Sequence, residues 1–265
     1  MESDKQKIID NFRAHVKNVE ICLEGQNVAH CGKEGHWLEK KMGIKPNAKN
    51  EPDILGYEMK TGESVTTFVD KAPNSMFIGN TPIPKRNTQE KRRFWELYAS
   101  KKESDEPTIG GWSAHRYNLS GQKLYVDEQN NINVKYDYSH DQRPNKDSII
   151  GLIKEPHIIM QWNAETLKTT IENKFNQKGF FKCVKQHNKF VKICFGGPIT
   201  YEFWIDKVKK GVIYHDGYSK VNGRGRHVFR AANKFWNDLI TEEYSLYTYL
   251  GDTRIYTRRH FLSAL

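Results

Sequence analysis

Cysteine is scarce in this chain: there are four in 265 residues, at positions 22, 31, 183 and 194. Their irregular spacing supplies no disulfide framework, and the opening "MESDKQKIID" carries no apolar leader, so a reducing, cytoplasmic setting is expected. Long hydrophobic runs are missing too. Nothing approaches the roughly 18 consecutive apolar residues that cross a bilayer, and mean hydropathy is −0.78, so no membrane partner is expected. The chain has no nucleophile elbow, no Walker loop and no dinucleotide fingerprint. Cys22, His30, Cys31 and His36 can be drawn as a zinc set, but they lack the paired C-x2-C spacing of structural zinc modules. No internal repeat or low-complexity tract is present.

Positive charge is abundant. Lys and Arg total 42 against 32 Asp and Glu, a formal net charge of +10 spread along the whole chain. Such a balance favours a polyanion as partner. The basic residues are interleaved with aromatic and hydrogen-bonding side chains, as in "KRNTQEKRRFWELY" and "GRGRHVFRAANKFW". That pattern ranks nucleic acid ahead of a membrane surface or an acidic protein.

Helical spacing of Ile8, Ile9, Phe12, Val16 and Val19 predicts an amphipathic helix over 3–20, and "EGHWLEKKMG" predicts a second with Gly43 as its stop. The runs "DILGYEMKT" and "ESVTTFVDKAP", split by Gly62, read as a β-hairpin. A helix is expected over 87–100, a linker in "KKESDEPTIGGW", strands over 112–138, a polar loop over 139–148 and a helix over about 162–176. Strands "FFKCVKQ" and "KFVKICFGG" follow, and "GVIYHDG" and "HVFRAA" bracket a Gly-rich turn. Mixed elements without strict βαβ alternation point to an α+β fold rather than a Rossmann fold. The scattered Trp95, Trp112, Trp162, Trp204 and Trp236 read as packing residues.

Within "NEPDILGYEMKTGES" three charged residues, Asp53, Glu58 and Lys60, fall in a segment that otherwise reads as buried strand. In a strand, Glu58 and Lys60 share a face while Met59 turns to the core. Asp53 lies an odd number of residues before Glu58, so a regular strand would put the two carboxylates on opposite faces; a bend at Gly56 can bring Asp53 around. The pair could then share a hard cation, with the carbonyl of Met59 as a further oxygen ligand and Lys60 beside an activated water. An ordinary strand-end ion pair explains the same residues, and both readings stay open on this evidence. The spacing E-x-K recurs at Glu39–Lys41 and Glu172–Lys174, in expected helices where it does not align the two side chains.

The Asp53, Glu58 and Lys60 pattern resembles the PD-(D/E)xK nucleases. Upstream, "GHWLEKKMGI" is similar to the helix that carries an extra active-site glutamate in the MutH branch, which implies Glu39 for that role. Downstream, "TTFVDKAP" and "EKRRFW" resemble the segments after the MutH catalytic strand. The family's additional active-site basic residue after the catalytic strand has no unique counterpart here; Lys91 is implied for that role, with Arg92 and Arg93 as competitors and as DNA contacts. The stretch "GVIYHDGYSKVNGRGRHVFRAANKFW" resembles the late recognition segment of the MvaI and BcnI restriction endonucleases, and "RIYTRRHFLSAL" has a MutH-like cadence. The likeness covers roughly residues 35–98 and 200–265, and residues 100–155 match nothing in it.

The resemblance implies a restriction-endonuclease-like core with a second, DNA-reading lobe in a clamp. The expected division is a catalytic lobe over 1–110, an insertion over 111–155, and the rest of the core with the recognition lobe over 156–265. In the recognition segment Gly223 and Gly225 allow close backbone approach, while Arg224, Arg226, His227 and Arg230 offer donors to guanine edges or phosphates. His215, beside Asp216, reads as a turn histidine that hydrogen-bonds locally or touches DNA. The implied activity is that of a type II restriction endonuclease: Mg2+-dependent, site-specific hydrolysis of double-stranded DNA. Mn2+ should substitute, and Ca2+ should support binding without cleavage. A monomer is implied, cutting one strand at a time with no obligate protein partner and with a cognate methyltransferase in the same system. A MutH-like repair nickase and a DNA-binding module without catalysis are the alternatives.

Overall fold

The computed structural model describes residues 2–24, 33–45, 50–61, 65–101, 107–112, 114, 116–218, 226–249 and 252–257. The chain begins with α1 (Asp4–His15), α2 (Lys33–Lys41), β1 (Glu58–Lys60), β2 (Val65–Asp70), β3 (Ser75–Ile78), β4 (Thr81–Pro82) and α3 (Thr88–Tyr98). It continues through β5 (Ser100–Lys101), β6 (Pro107–Trp112), β7 (Ser120–Val126), β8 (Ile132–Asp141), α4 (Lys146–Ile150), β9 (His157–Trp162) and α5 (Ala164–Phe175). The last third holds β10 (Phe180–Gln186), β11 (Lys189–Gly196), α6 (Tyr201–Lys209), β12 (Ile213–Tyr218), β13 (Arg226–Ala232), α7 (Asn233–Asp238), β14 (Ile240–Tyr249) and β15 (Asp252–Thr257). Among the described residues no helix is long and apolar enough to cross a membrane.

Two compact units result, and each is discontinuous in sequence. The first takes Met1–Thr66, Ile171–Thr200 and Asn233–Leu265; the second takes Thr67–Thr170 and Tyr201–Ala232. Neither limit falls at 110/111 or 155/156, where the sequence suggested divisions, because the strands that pair in space come from distant stretches of chain.

In the first unit the sheet runs β1-β10-β11-β14-β15. Strand β1 pairs with β10 in parallel, Glu58 opposite Phe180 and Lys60 opposite Lys182, and the remaining pairs are antiparallel. The expected hairpin of β1 with β2 does not form, since β2 belongs to the sheet of β13, β12, β6 and β5. Helix α1 starts at an N-cap, Ser3, whose hydroxyl accepts from the Gln6 amide at 3.2 Å. It stops at His15, short of the expected end at 20, because the chain turns through Asn18 (φ 59°) to bridge Lys17 with Phe190 on β11. Helix α2 ends at Lys41, and the chain leaves it through Gly43, whose φ of 69° no β-carbon hinders. Ile8, Ile9 and Phe12 of α1 and Trp37 and Leu38 of α2 pack with Met59, Phe181, Cys183 and Phe195 in one apolar core. Alternation along the strands therefore sends Glu58, Lys60, Phe180 and Lys182 to the opposite face of the sheet.

The second unit holds the other two sheets, β2-β13-β12-β6-β5 and β4-β3-β9-β8-β7. Helix α3 matches its expected span and is capped by Asn87, whose side chain accepts from the Glu90 amide at 3.0 Å. The expected linker is in part strand, because Pro107–Trp112 pairs with β12. The expected polar loop over 139–148 is shorter, confined to 142–145 between the end of β8 and the start of α4. Trp95, Trp162 and Trp204 are buried here and Trp236 is buried in the first unit, as packing residues should be.

Candidate active site

A two-residue turn builds the site. Ile54 and Tyr57 exchange amide-to-carbonyl hydrogen bonds of 3.1 and 2.8 Å, and between them Leu55 and Gly56 have φ of 51° and 83°. Positive φ at both central positions is the hairpin-turn geometry in which glycine at the second place is strain-free. The turn folds Asp53 back along the strand, so that its Oδ2 accepts from the Met59 amide at 2.8 Å. This is the bend that the odd spacing from Asp53 to Glu58 demanded.

Glu58 and Lys60 are 2% and 6% exposed. Lys60 Nζ donates to Glu58 Oε1 at 2.8 Å and lies 5.1 and 5.4 Å from the ring centres of Phe175 and Trp236. Lys174, in the last turn of α5, places its Nζ 3.1 Å from the same Oε1. The other oxygen, Oε2, is buried with no hydrogen-bond partner among the described residues. Burial, and next the charge of Glu58, pushes the Asp53 carboxyl up to about 6, against the pull of Lys60 and Lys174. Burial likewise holds the Lys60 ammonium below its ordinary value. On β10, Lys182 donates to Asn233 and, at 2.8 Å, to Asn237 of α7.

The donor set fits a hard divalent cation. It supplies two neighbouring carboxylates, one of them with a buried oxygen that no described protein group satisfies, and a carboxyl that resists ionising without added positive charge. The set is small: among the described residues no three His, Cys, Asp or Glu side chains converge to hold a metal. Glu39, half-buried on α2, is thus not gathered in with Asp53 and Glu58. Helix α2 does approach the strand end, since a β-carbon on Gly35 would come within 3.5 Å of Thr61 Oγ1.

The basic candidates lie in the second unit. Lys91, on α3, donates to the Lys85 carbonyl at 2.5 Å, and Arg92 and Arg93 are exposed beside it. Arg226 and Arg230 are two steps of alternation apart on β13 and share a face; Arg226 pairs with Asp70 at 2.8 Å and Arg230 with Asp216 at 3.2 Å. Arg224, Gly223 and Gly225 lie outside the described residues, as do His30 and Cys31 of the discounted zinc set.

Two expected DNA contacts are corrected. His215 is fully buried and His227 is 4% exposed, inside an aromatic cluster with Trp162, Phe229 and Trp95. The ring centres of the two histidines are 5.5 Å apart. Polar neighbours in sequence suggested a surface turn, but both side chains point into the unit. Burial pushes His227 down to about 4, with Asp70 opposing and Lys91 assisting, and holds His215 well below the ordinary value. Both rings are neutral when folded, whereas the unfolded chain takes up protons below about pH 6.5, so stability falls as pH drops from 6.5 towards 4. His227→Phe should remove about 2 kcal/mol of that loss by pH 4.5. Urea unfolding at pH 7 and 4.5 reads it, and parallel pH dependence in the two proteins would sink it.

Sequence reasoning missed Lys174 and Lys182. Lys174 stood in the Glu172–Lys174 repeat of the E-x-K spacing that helical geometry discounted, and nothing local distinguished it from a solvated helix lysine.

The structure of MvaI with its cognate DNA substrate superposes on this chain with a TM-score of 0.65 at 14% identity, covering 96% of this chain and 99% of that one. The architecture is therefore that of the restriction endonucleases. The family model described as LlaMI restriction endonuclease matches residues 16–244. The type II restriction enzyme ScrFI of Lactococcus lactis subsp. cremoris is 36% identical over 274 aligned positions, 91% of this chain and 99% of that enzyme. The chain belongs to the LlaMI restriction endonuclease family and is a type II restriction endonuclease, a site-specific deoxyribonuclease. Enzymes of this class require a divalent metal ion.

Proposed function

We propose that the chain hydrolyses double-stranded DNA at a short specific site with Mg2+, held by Asp53, Glu58 and the Met59 carbonyl. The buried Oε2 of Glu58, without a partner among the described residues and beside a carboxyl pushed up to about 6, carries this reading. The ion, when bound, neutralises charge that builds on the phosphate and acidifies the attacking water. Lys60 orients that water, fixed by Glu58 and the Phe175 and Trp236 rings. Mn2+ substitutes for Mg2+, and Ca2+ supports binding alone. Glu39 and Lys91 act as supplementary active-site groups, and Arg92 and Arg93 grip phosphates. The enzyme works as a cytoplasmic monomer, and the cell's own sites require protection by a cognate methyltransferase. MvaI has been solved on its cognate DNA, which supports a duplex as substrate. The test is incubation of the purified protein with phage DNA in Mg2+, with mapping of the fragment ends. Absence of discrete fragments in Mg2+ and in Mn2+ would refute the reading.

Arg226 and Arg230 are the proposed base readers. Their carboxylate partners are no barrier, because partly exposed ion pairs contribute at most about 1 kcal/mol and exchange readily for DNA. A bidentate arginine on guanine gives roughly 1–3 kcal/mol of discrimination, whereas a phosphate contact weakens binding on every sequence alike. Arg226→Ala or Arg230→Ala should narrow the cognate-to-mismatch affinity ratio in Ca2+ about tenfold. Lys154→Ala, at an exposed pair with Asp147, should leave it unchanged. Uniform weakening by both arginine variants would assign them to the phosphates.

A further inference from the structure

We propose that Lys174 is a positioning residue for cleavage: together with Lys60 it clamps Oε1 of Glu58 and thereby presents Oε2 to the metal. The inference rests on the metal reading above. Two ammonium groups from different elements meet one carboxylate oxygen, at 2.8 Å from β1 and 3.1 Å from α5, and leave the second oxygen without a partner among the described residues. One lysine cannot do this. The last torsion of a glutamate is broad and two-fold, so rotamer preference does not fix the carboxylate plane. Lys60 is two residues away on the same strand and holds Oε1 from one side only, which leaves the carboxylate free to turn about that contact. Lys174 approaches from a separate element, and two donors from separate elements define an orientation.

The end of α5 is itself anchored. Phe175 is fully buried, and its carbonyl accepts from the Ile199 amide at 3.2 Å. Lys174 remains 23% exposed along its side chain, so its replacement disturbs the fold less than loss of Glu58 or Lys60. The competing role is that of a neutralising charge with no influence on orientation. The two roles predict opposite signs for cation affinity. Removal of a nearby positive charge alone strengthens cation binding, whereas release of a clamped ligand weakens it; loss of a partner that orients a metal ligand costs about 10- to 100-fold in affinity or activity.

The test is calorimetric titration of Ca2+ into the full chain, with kcat and KM in Mg2+ and melting temperature measured alongside. For Lys174→Met, Ca2+ affinity and kcat should each fall at least about tenfold while KM for DNA holds within about twofold. Lys174→Arg, which keeps a charged donor, should recover most of both. A Ca2+ affinity that rises or stays level in Lys174→Met overturns the clamp. Glu58→Gln separates this from failure of the metal assignment: if that variant binds Ca2+ as tightly as wild type, the metal reading fails and the clamp fails with it. Should Glu58→Gln weaken Ca2+ binding while Lys174→Met does not, only the clamp is wrong.

Discussion

Glu58→Ala is expected to end cleavage and, in the same step, to destabilise the protein by roughly 3–5 kcal/mol. Both effects come from one carboxylate. Its Oε1 is the partner of the buried Lys60 and of Lys174, and its Oε2 is the oxygen assigned to the metal. Truncation takes its carboxylate partner from the Lys60 ammonium, at 6% exposure against Phe175 and Trp236, so that burial favours loss of its proton with only the pull of Asp53 and the ring faces against it. Glu58→Gln separates the two consequences. The amide retains an oxygen for Lys60 and loses the negative charge, so most stability should return while cleavage stays absent. Urea unfolding and single-turnover cleavage on the same preparations read both. Glu58→Ala cutting at near wild-type rate would move the chemistry elsewhere in the chain.

Arg143→Ala should be of comparable size but confined to stability, at a cost of roughly 3–5 kcal/mol. Arg143 and Asp141 are almost wholly buried in the second unit. The guanidinium grips the carboxylate with two nitrogens, Nε to Oδ1 at 3.0 Å and Nη2 to Oδ2 at 2.6 Å. It also donates through Nη1 to the carbonyls of Leu97 and Ala99 at the end of α3, at 2.9 and 3.2 Å. Burial raises the Asp141 carboxyl, but the hydrogen bonds from Arg143 and Tyr136 outweigh it and bring it below its ordinary value. Removal of the arginine leaves a buried anion held only by the Tyr136 hydroxyl and the amide of residue 143, and takes the guanidinium donor from two carbonyls. Arg143→Lys should recover only a minor part, since one ammonium cannot reproduce a planar fork with four acceptors. A loss below about 1 kcal/mol in urea would show that water enters and replaces the arginine.

Local physics was legible where periodicity and capping act within a few residues. Helix α1 follows from its apolar spacing, the expected helix over 87–100 holds α3, and the shared face of Glu58 and Lys60 follows from the two-residue period of a strand. The need for a bend at Gly56 followed from counting alone. Partners distant in sequence were illegible, because a β-rich run carries no mark of which strand it will join. Hence sequence pattern pairs β1 with its neighbour in the chain, whereas in the fold it joins residues 180–182, and Lys174 reads as an ordinary helix lysine. His215 and His227 were misplaced for the same reason: the aromatic rings that bury them include Trp95 and Trp162, far away in the chain. Residues 111–155, which suggested an insertion, supply β7, β8 and the Arg143 anchor of the second unit. The family likeness reached the function where these local rules could not.

The pairing of β1 also sets when a nuclease first exists during synthesis. Strand β1 is three residues long and lies at the edge of its sheet, with β10 as its neighbour. The Lys174 clamp and the Phe175 and Trp236 walls also arrive late in the chain. At about 5–20 residues per second, the ribosome takes several seconds to travel from Glu58 to Gln186. Until then Asp53, Glu58 and Lys60 have no surface to rest on, and the closure of so long a loop must precede the site. On the proposed assignment of Asp53, Glu58 and Lys60, a nascent or truncated chain that stops before β10 should not cut its own genome, and cutting ability should switch on only after the late elements of the first unit are made.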